Sequence, residues 1–503
     1  MSESLSPCIK QKHNTSPLFL GGGGFILFFA LFLLFACDNY DSFTTNRSAV
    51  LTFSRDTVRF DTLIATVPSS TQTLIIFNKG DEGLRISQAA LAGGASSPFR
   101  VNIDGLDLSQ TTSNAASDFE VRRRDSLIVR IEVTVPPSGT DQPHKLTDAL
   151  LLTLESGVQQ RIPFEVVGRD AFFMKARTLT ADTTMTARRP IVIYDSLVVA
   201  SGTTLTLQAG TQLLFHEKAA LIVHGNLKAQ GTLEKPIIFR GDRTDHMFDY
   251  LPYDRLPSRW EGITIRPESF GNELTYIDLH SGLYGIQCDS TKDASTSKLK
   301  LLNSRIHNLG GKGLALQGCK AEVSNTEISN TLENCVSIIG GDISFLHCTL
   351  AQFYPFDAKR DVALSIANEH NGSTWPLYKA DFINCIVTGY AEDELMGYWT
   401  DEEGIEANFN FINCSLRTES AEGTDVASQF INVVYEDTKE VNNDKLFKLF
   451  DVENFIYDFT PVAEAPFCGI AEPTYASQLP LDRLGRPRNK DGKPDAGCYE
   501  SGE

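Results

Sequence analysis

The chain has 503 residues, of which 42% are hydrophobic and 22% charged, with a net charge of −19 and an isoelectric point near 5.0. This composition is that of a folded body and excludes wholesale disorder, and the negative field disfavours a nucleic-acid partner. The length also excludes one ordinary globular core, unless the chain is a solenoid whose core grows in one dimension.

The N-terminus carries the pattern of an export signal in residues 1–36. Lys10 and Lys12 precede an apolar stretch from Phe25 to Ala36. Its length is typical of the core of a signal peptide and is too short to span a bilayer comfortably. The stretch ends at Cys37, which begins a polar tether over residues 37–48. An uncleaved N-terminal anchor is the alternative.

The cysteine ends a short motif, Leu34-Phe35-Ala36-Cys37, that resembles the lipobox of bacterial lipoproteins, although Phe35 is bulkier than usual. The resemblance implies a signal peptide that is cleaved before Cys37 and an N-terminus that carries palmitate or similar acyl chains. Such chains contribute roughly 0.8 kcal/mol per buried CH₂ and hold a soluble domain at a membrane. We therefore expect a lipid-anchored cell-envelope protein at the outer membrane, on its periplasmic face or at the cell surface.

Residues 49–168 show short alternating segments separated by turn residues, such as Thr73–Phe77 and Ser126–Val133. Roughly seven segments of this kind predict an antiparallel β-sandwich. The region resembles the immunoglobulin-like modules that precede larger domains in exported bacterial proteins. The resemblance implies a spacer or a docking surface, and no chemistry is visible in it.

A different rhythm begins near Ile191. Apolar triplets start at positions eight residues apart, at Leu197, Leu205, Leu213 and Leu221. Such triplets are too short for sandwich strands, but they suit a solenoid with three faces per coil and about 24 residues per coil. The pattern predicts a solenoid over residues 190–454.

The run from Gly202 to Phe239 resembles the first coils of pectate-lyase-like right-handed parallel β-helices. The resemblance implies an all-β protein in which an immunoglobulin-like β-sandwich is followed by a right-handed parallel β-helix. It defines architecture better than activity, because one fold hosts many functions.

The later coils repeat one polar residue at a tight bend. Asparagine tolerates the left-handed backbone region, and stacked amides can hydrogen-bond along a ladder. A cysteine follows several of these positions and is interpreted as a small core residue. The predicted ladder consists of Asn303, Asn325, His347, Asn384 and Asn413.

The C-terminal segment, residues 455–503, contains Asp482–Arg488 and Pro494–Glu500, which resemble the closing segment of exported bacterial β-helix proteins. We interpret it as a cap over the last coil, because the ends of a solenoid need covering. Cys468 and Cys498 lie within it and could form a disulfide in an oxidising compartment, with two free thiols as the alternative.

Three insertions interrupt the coils, and insertions in a repeat fold often cluster on a binding face. The first lies between Phe239 and Ile263 and mixes aromatic rings with carboxylates, as carbohydrate sites do. We predict a ligand site there, with the rings as stacking platforms and the carboxylates as hydroxyl acceptors. The alternative is that the rings pin a long loop to the solenoid. The candidate residues are Asp245, Asp249, Tyr250, Tyr253, Asp254 and Trp260.

The other two insertions give weaker signals. Asn368–Trp375 holds His370 and Trp375, which are more often solvated and packed, respectively. Glu392–Glu406 holds clustered carboxylates that could bind Ca²⁺, but a spaced calcium loop is missing, so a solvated acidic surface is favoured. No other cofactor or metal is indicated.

No catalytic residue is predicted, because the chain lacks nucleophile, zinc and phosphate-loop motifs and shows no aligned set of acids on consecutive coils. Three functions remain open. The first is non-catalytic recognition of a polysaccharide or an envelope partner. The second is a polysaccharide lyase or glycoside hydrolase, and the third is a structural adhesin that docks to envelope proteins.

Overall fold

The computed structural model describes residues 42–248, 250–291, 294–400, 402–437, 443–490 and 492–501. Cys37 and Asp249 lie outside them. Within these ranges the protein is almost entirely β, with two one-turn helices, α1 (Asn443–Leu446) and α2 (Pro473–Ala476). Short 3₁₀ turns occur at Gly94–Ser96, Leu108–Gln110, Tyr253–Arg255 and Ala427–Gln429. No helix in the described part is long and apolar enough to cross a membrane.

The N-terminal region folds as two sheets that pack face to face. The strands are β1 (Thr52–Phe53), β2 (Val58–Ile64), β3 (Gln72–Phe77), β4 (Leu84–Leu91), β5 (Phe99–Ile103), β6 (Leu106–Asp107), β7 (Ala115–Ala116), β8 (Phe119–Val121), β9 (Ser126–Val133), β10 (His144–Leu154) and β11 (Gln159–Arg169). One sheet has the order β1-β3-β9-β5-β6, and the other has the order β2-β11-β10-β4-β7 with β8 beside β4.

The sandwich forms because apolar residues alternate along its strands, as in β9, where every second residue is buried. Phe99 and Phe164 meet between the sheets, with their ring centroids 5.3 Å apart. The expectation of purely antiparallel pairing is wrong at one place, because β2 and β11 are parallel. Both strands run towards the solenoid, where Ile64 packs with Val192 and Leu214.

The solenoid begins with β12 (Phe172–Leu179), which pairs along β14 (Ile191–Val199). Face 1 consists of β13 (Thr183–Met185), β15 (Thr204–Gln208), β18 (Asn226–Gln230), β23 (Asn272–Thr275), β26 (Ser297–Leu302), β29 (Lys320–Ser324), β32 (Gly341–Leu346), β37 (Leu377–Ile383), β40 (Asn410–Ile412) and β42 (Phe430–Ile431).

Face 2 consists of the first half of β14 with β16 (Gln212–Phe215), β19 (Ile237–Gly241), β24 (Ile277–His280), β27 (Arg305–Leu309), β30 (Glu327–Thr331), β33 (Thr349–Gln352), β38 (Ile386–Gly389), β41 (Ser415–Leu416) and β43 (Val434–Tyr435). Face 3 consists of the second half of β14 with β17 (Ala220–Val223), β22 (Gly262–Ile265), β25 (Ile286–Cys288), β28 (Leu314–Gln317), β31 (Val336–Ile339), β34 (Leu364–Ala367) and β39 (Leu395–Tyr398).

Short hairpins lie outside the three faces. They are β20 (His246–Phe248) with β21 (Leu251–Pro252), β35 (Glu369–His370) with β36 (Ser373–Thr374), and β44 (Phe447–Asp451) with β45 (Ile456–Pro461). On the faces, each strand pairs in parallel with the corresponding strand of the next coil. This pairing is that of a solenoid and is consistent with a parallel β-helix, as predicted.

The solenoid core is built from columns of equivalent side chains. One column on face 1 ends in four stacked rings, Phe345, Phe382, Phe411 and Phe430, whose successive centroids are 4.8, 5.0 and 5.2 Å apart. Offset aromatic stacking contributes beyond the burial of apolar area. The column therefore stabilises the later coils, where the strands of faces 1 and 2 become short.

The five residues of the predicted ladder lie at the corner between faces 1 and 2. All five residues have φ between 50° and 53°, in the left-handed region. Asn325 Nδ2 donates to Asn303 Oδ1 at 2.9 Å, and Asn384 Nδ2 lies 3.0 Å from His347 Nε2. Each ladder residue turns the chain, and the residue after it is buried in the corner, as Cys348, Cys385 and Cys414 are.

The C-terminal segment does not form the predicted cap over the last coil. Residues 462–490 and 492–501, which we call the strap, run along the outside of the ladder corner instead. Asn413 Nδ2 donates to Ile470 O at 2.9 Å, Asn325 Nδ2 donates to Leu481 O at 2.8 Å, and Arg483 Nε donates to Ser304 O at 3.1 Å. The expectation was wrong because the ladder amides retain hydrogen-bonding groups that face outwards, and these bind the strap.

The two strap cysteines are not bridged, so of the two alternatives that the sequence leaves open the structure shows two free thiols. Both are free: Cys468 Sγ lies 3.3 Å from Val462 O, and Cys498 Sγ lies 3.4 Å from Thr349 Oγ1. Burial raises the pKa of both thiols to about 12. Each thiol therefore acts as a small packed group.

Candidate functional site

The first insertion does not present Trp260 to solvent. The indole is 1% exposed, stacks on Phe215 with centroids 4.3 Å apart, and donates from Nε1 to His280 O at 2.9 Å. A ring buried on both faces cannot stack on a ligand, so the prediction of Trp260 as a platform is wrong. A buried tryptophan cannot be distinguished from an exposed one by residue type alone. The burial of Trp260 comes from residues that are distant in the sequence.

Two polar residues of this insertion connect the solenoid to the sandwich. Asp245 is buried, pairs with Arg243 and accepts from Ser70 N at 3.2 Å. Burial alone would raise the pKa of Asp245, but the hydrogen bonds from Arg243 and Ser70 hold it below its ordinary value. His246 Nδ1 lies 2.8 Å from Asp61 Oδ2. The insertion therefore braces the two regions against each other.

The remaining candidates in this insertion are divided. Arg243 lies over the ring of Tyr253 at 4.2 Å, and Arg240 pairs with Asp254 at 3.3 Å. Tyr250 is 53% exposed and stacks on Phe248 at 5.8 Å. A ligand role for Tyr250 stays a prediction, whereas the groups of Tyr253 and Asp254 already have partners within the loop.

A large groove lies on face 3, where the second and third insertions meet. It has a volume of about 740 Å³. Its floor consists of short outward side chains that are paired in register from coil to coil, with Ser337 beside Ser365, and Ile339 beside Ala367. Short side chains leave the β-sheet surface accessible, so the floor can approach a flat ligand closely.

One end of the groove carries exposed aromatic residues from the third insertion. Tyr398 is 53% exposed and Trp399 is 41% exposed. Trp399 stacks on Phe409 with centroids 5.3 Å apart and planes at 6°, which fixes the orientation of the indole. Tyr398 continues the outward column of Ile339 and Ala367. An indole supported on one side presents its other face to a ligand.

Polar groups line the sides of the groove. The hairpin β35–β36 contributes Glu369, His370 and Asn371, and the neighbouring coils contribute further amide and charged groups. The latter are Lys312, Glu333, Asn334 and Asp361. A groove with aromatic surfaces and convergent amides and carboxylates matches the chemistry of a site for hydroxyl-rich ligands.

Asn368 holds the two insertions together. Its side chain is buried, its Oδ1 accepts from Thr400 N at 2.9 Å, and its Nδ2 donates to Glu406 O at 3.4 Å. The backbone of Asn368 also accepts from Trp375 N at 2.7 Å. One asparagine therefore sets the position of the hairpin wall relative to the aromatic end.

The described carboxylates of the acidic third insertion do not converge on one point. Glu394 is fully buried and accepts from Ala363 N and Ala391 N, both at 2.7 Å, and burial raises its pKa to about 8. Asp393 and Glu403 point to solvent. In the described ranges no three His, Cys, Asp or Glu side chains form a metal-binding group.

This groove is not apparent in the sequence, because the second and third insertions are separate segments of the chain. The signal that could have indicated it is the adjacent pair Tyr398-Trp399, which lies within the polar third insertion. That the two insertions face each other follows from stacking of β34 on β39, and this register is invisible in a single segment.

None of the known family models matches the chain, and no curated protein does. Among solved structures, the catalytic unit of an α-1,3-glucanase from Streptomyces thermodiastaticus is 10% identical, covers 72% of this chain and 75% of its own, and has a TM-score of 0.26. A PapD-like domain of human CEP192 is 12% identical over 33% of this chain and 97% of its own, with a TM-score of 0.16.

A protein of unknown function from Porphyromonas gingivalis is 15% identical, and the match covers 26% of this chain and 60% of that protein, with a TM-score of 0.17. Similarities of this size carry no argument about activity or ligand. The all-β architecture with long parallel sheets stands on the strand pairing of the chain itself.

Proposed function

We propose that the protein is a cell-envelope lipoprotein that recognises a polysaccharide in the groove on face 3. The observation that carries the proposal is the exposed pair Tyr398 and Trp399 at the end of a floor of short side chains. Sugar rings present flat apolar faces that stack on aromatic rings, and their hydroxyls bind amides and carboxylates. The groove supplies both kinds of contact.

The charges of the groove favour a neutral polysaccharide. The carboxylates of Glu333, Asp361 and Glu369 outnumber the single lysine, Lys312, among the lining residues. The whole chain carries a net charge of −19. Both the carboxylates of the groove and the net negative charge of the chain would repel an acidic polysaccharide.

The proposal includes the setting expected from the sequence. In it, acylated Cys37 anchors the chain to the outer membrane, on the periplasmic face or at the cell surface. The N-terminal sandwich is an immunoglobulin-like spacer, and the solenoid is a right-handed parallel β-helix. Right-handed crossovers are the rule for parallel strands in one sheet, which supports the handedness.

A glycan array screened with the purified protein, followed by calorimetry, tests the binding. We expect Tyr398→Ala and Trp399→Ala each to make the binding free energy of the selected glycan less favourable by about 1–2 kcal/mol, because each removes one stacking surface. Tyr378→Ala is the matched control, since Tyr378 is 51% exposed but lies on face 1. Equal affinity in the wild type and both groove variants would refute the site.

The same experiment distinguishes the first insertion from the groove. If Tyr250→Ala lowers the affinity for the glycan and Tyr398→Ala does not, the ligand binds at the first insertion. If Tyr250→Ala keeps the glycan affinity of the wild type and Tyr398→Ala loses affinity, the ligand binds in the groove. Binding to envelope proteins without any glycan would support the adhesin alternative.

A specific observation keeps a second candidate function open. Three carboxylates line the groove, namely Glu333, Asp361 and Glu369, and glycoside hydrolysis uses a pair of carboxylates that flank the scissile bond. Product analysis of the bound glycan decides between binding and cleavage. New reducing ends or unsaturated products that disappear in Glu369→Gln would establish a hydrolase or lyase.

A further inference from the structure

A second cavity lies on the opposite flank of the solenoid, on face 2, away from the groove. It has a volume of about 240 Å³ and lies between the outer surface of β24, β27 and β30 and two covering segments. The covering segments are residues 254–255 of the first insertion and residues 455–457 of the last hairpin. We call it the flank pocket. Its wall therefore combines residues from three separate parts of the chain.

The charged groups of the flank pocket neutralise one another. His307 Nε2 lies 3.0 Å from Asp278 Oδ1, and Arg305 Nε donates to Glu327 Oε1 at 2.9 Å. Burial alone would raise the pKa of Glu327, but Arg305 lowers it to about 2. The lining also holds Asp254 and Arg255, so its two carboxylates balance its two guanidinium groups and the pocket offers no net charge for an ionic ligand.

Neutral groups supply the open hydrogen-bonding capacity. Asn330 is 1% exposed, and neither its Oδ1 nor its Nδ2 has a hydrogen-bond partner among the described residues. Tyr457 is 7% exposed, and its hydroxyl also lacks a partner there. His280 donates from Nδ1 to Asp254 O at 3.0 Å, and burial lowers its pKa to about 3, so Nε2 remains an acceptor.

Unpaired buried groups of this kind need an explanation, because a buried amide or hydroxyl without a partner costs roughly 1–3 kcal/mol each. All three residues line the same cavity. The space exceeds that of a single water, which occupies about 30 Å³, several-fold. It is slightly smaller than the roughly 300–1,000 Å³ of pockets for drug-sized ligands, so it fits one ring rather than an oligomer.

We propose that the flank pocket binds one neutral, hydroxyl-rich ring of the size of a single sugar unit. Asn330 donates to one ring substituent and accepts from another, the hydroxyl of Tyr457 binds a third, and His280 Nε2 accepts from a hydroxyl. The ring of Phe455 lies at the side of the pocket, stacked on Phe356 at 4.8 Å, and provides an apolar surface. This site does not depend on the groove on face 3.

The probes are free glucose, galactose, mannose and N-acetylglucosamine, each titrated into the full-length protein by ligand-observed NMR and calorimetry. We expect saturable binding of at least one of them. Tyr457→Phe and Asn330→Gly should weaken it about 3- to 10-fold, as the loss of a neutral hydrogen bond does. Glycine is chosen at position 330 because the φ of Asn330 is 54°, which glycine adopts without strain.

The controls keep the outcome clear. Asn303→Gly removes an amide at another left-handed position, with φ of 52°, that does not line the pocket, and it should leave monosaccharide binding unchanged. Tyr398→Ala should also leave it unchanged, which separates this site from the groove. Glucuronate should bind more weakly than glucose, because the charges of the lining balance and its carboxylate would lose hydration without a net attraction.

Three results would overturn the proposal. They are the absence of saturable binding by every probe, binding that both Tyr457→Phe and Asn330→Gly leave intact while circular dichroism shows folded protein, and tighter binding of glucuronate than of glucose. In the first case, Tyr457→Phe should also leave the melting temperature unchanged or raise it, since its hydroxyl would be only an unsatisfied group.

Discussion

A single backbone angle explains why asparagine recurs in the ladder. Asn325 has φ of 50°, a region in which a residue with an ordinary side chain is strained by roughly 1–2 kcal/mol. Its Nδ2 also donates to Asn303 Oδ1 and to Leu481 O. The residue therefore serves the coil, the neighbouring coil and the strap at once.

Asn325→Leu should lower the free energy of unfolding by about 1–3 kcal/mol, because it adds backbone strain and leaves the partners of a buried amide unsatisfied. Chemical denaturation followed by tryptophan fluorescence measures the change. Asn325→Gly separates the two causes, since glycine keeps the left-handed backbone and loses only the amide. A midpoint unchanged in both variants would contradict the role assigned to the ladder.

The ladder could be predicted from the sequence because its cause is local. Asn303 and Asn325 are 22 residues apart, and a left-handed bend once per coil restricts the residue type directly. The burial of Trp260 could not be predicted in this way. It results from the stacking on Phe215 of the preceding coil, and a sequence does not state which residues become neighbours across coils.

At the scale of elements, two strands far apart in the chain create a buried carboxyl. Glu436 follows β43 and is 8% exposed, and Thr388 Oγ1 of β38 donates to its Oε2 at 2.9 Å. Burial raises the pKa of Glu436 to about 7, and the nearby Arg417 and Thr388 lower it by less. The folded state therefore keeps a proton that the unfolded state releases above about pH 4.5.

Between pH 4.5 and 7 the unfolded chain binds fewer protons at this site than the folded chain, so the stability of the wild type should fall as the pH rises. Glu436→Gln cannot lose this proton. We expect the variant to gain roughly 3 kcal/mol relative to the wild type across this window, from about 1.4 kcal/mol per pH unit. Glu419→Gln, at an exposed position, is the control for urea denaturation at each pH.

The quantity to compare is the difference in unfolding free energy between each variant and the wild type, plotted against pH. If this difference has the same pH dependence for Glu436→Gln and Glu419→Gln, the carboxyl of Glu436 ionises normally. This buried carboxyl could not be predicted from the sequence. Glu436 stands in the polar run Tyr435-Glu436-Asp437, which reads as a solvated turn. Its burial depends on β43 stacking against β41 and β41 against β38, and such pairing appears only when the coils are assembled.

At the scale of the whole molecule, the proposal depends on an anchor at Cys37, which lies outside the described residues. Cys37→Ala should abolish acylation and release or misprocess the protein, because the thiol is the acyl acceptor that the lipobox implies. Metabolic labelling with a fatty-acid analogue measures this, and Cys8→Ala is the control within the same leader. A label that persists in Cys37→Ala would disprove the anchor.

The overall architecture was predictable because spacing alone distinguishes the sandwich strands from the coil triplets. The path of the strap was not, because closing segments can cover an end or a side with the same residues. The side is favoured here by the row of ladder amides, which Glu472 and Leu481 contact directly. The candidate groove was likewise hidden, since it arises from two insertions 20 to 30 residues apart that only the coil register brings together.

The strap changes how the molecule should respond to force. In an ordinary repeat protein each unit touches only its neighbours, so a pull on one end can peel units away one at a time. Here Ile470 is bonded to Asn413, whereas Arg483 reaches back to Ser304, across the intervening coils. A force applied to the C-terminus must break these hydrogen bonds one after another before a coil can detach. The strap therefore links coils that are not neighbours and should raise the force needed to unfold the solenoid.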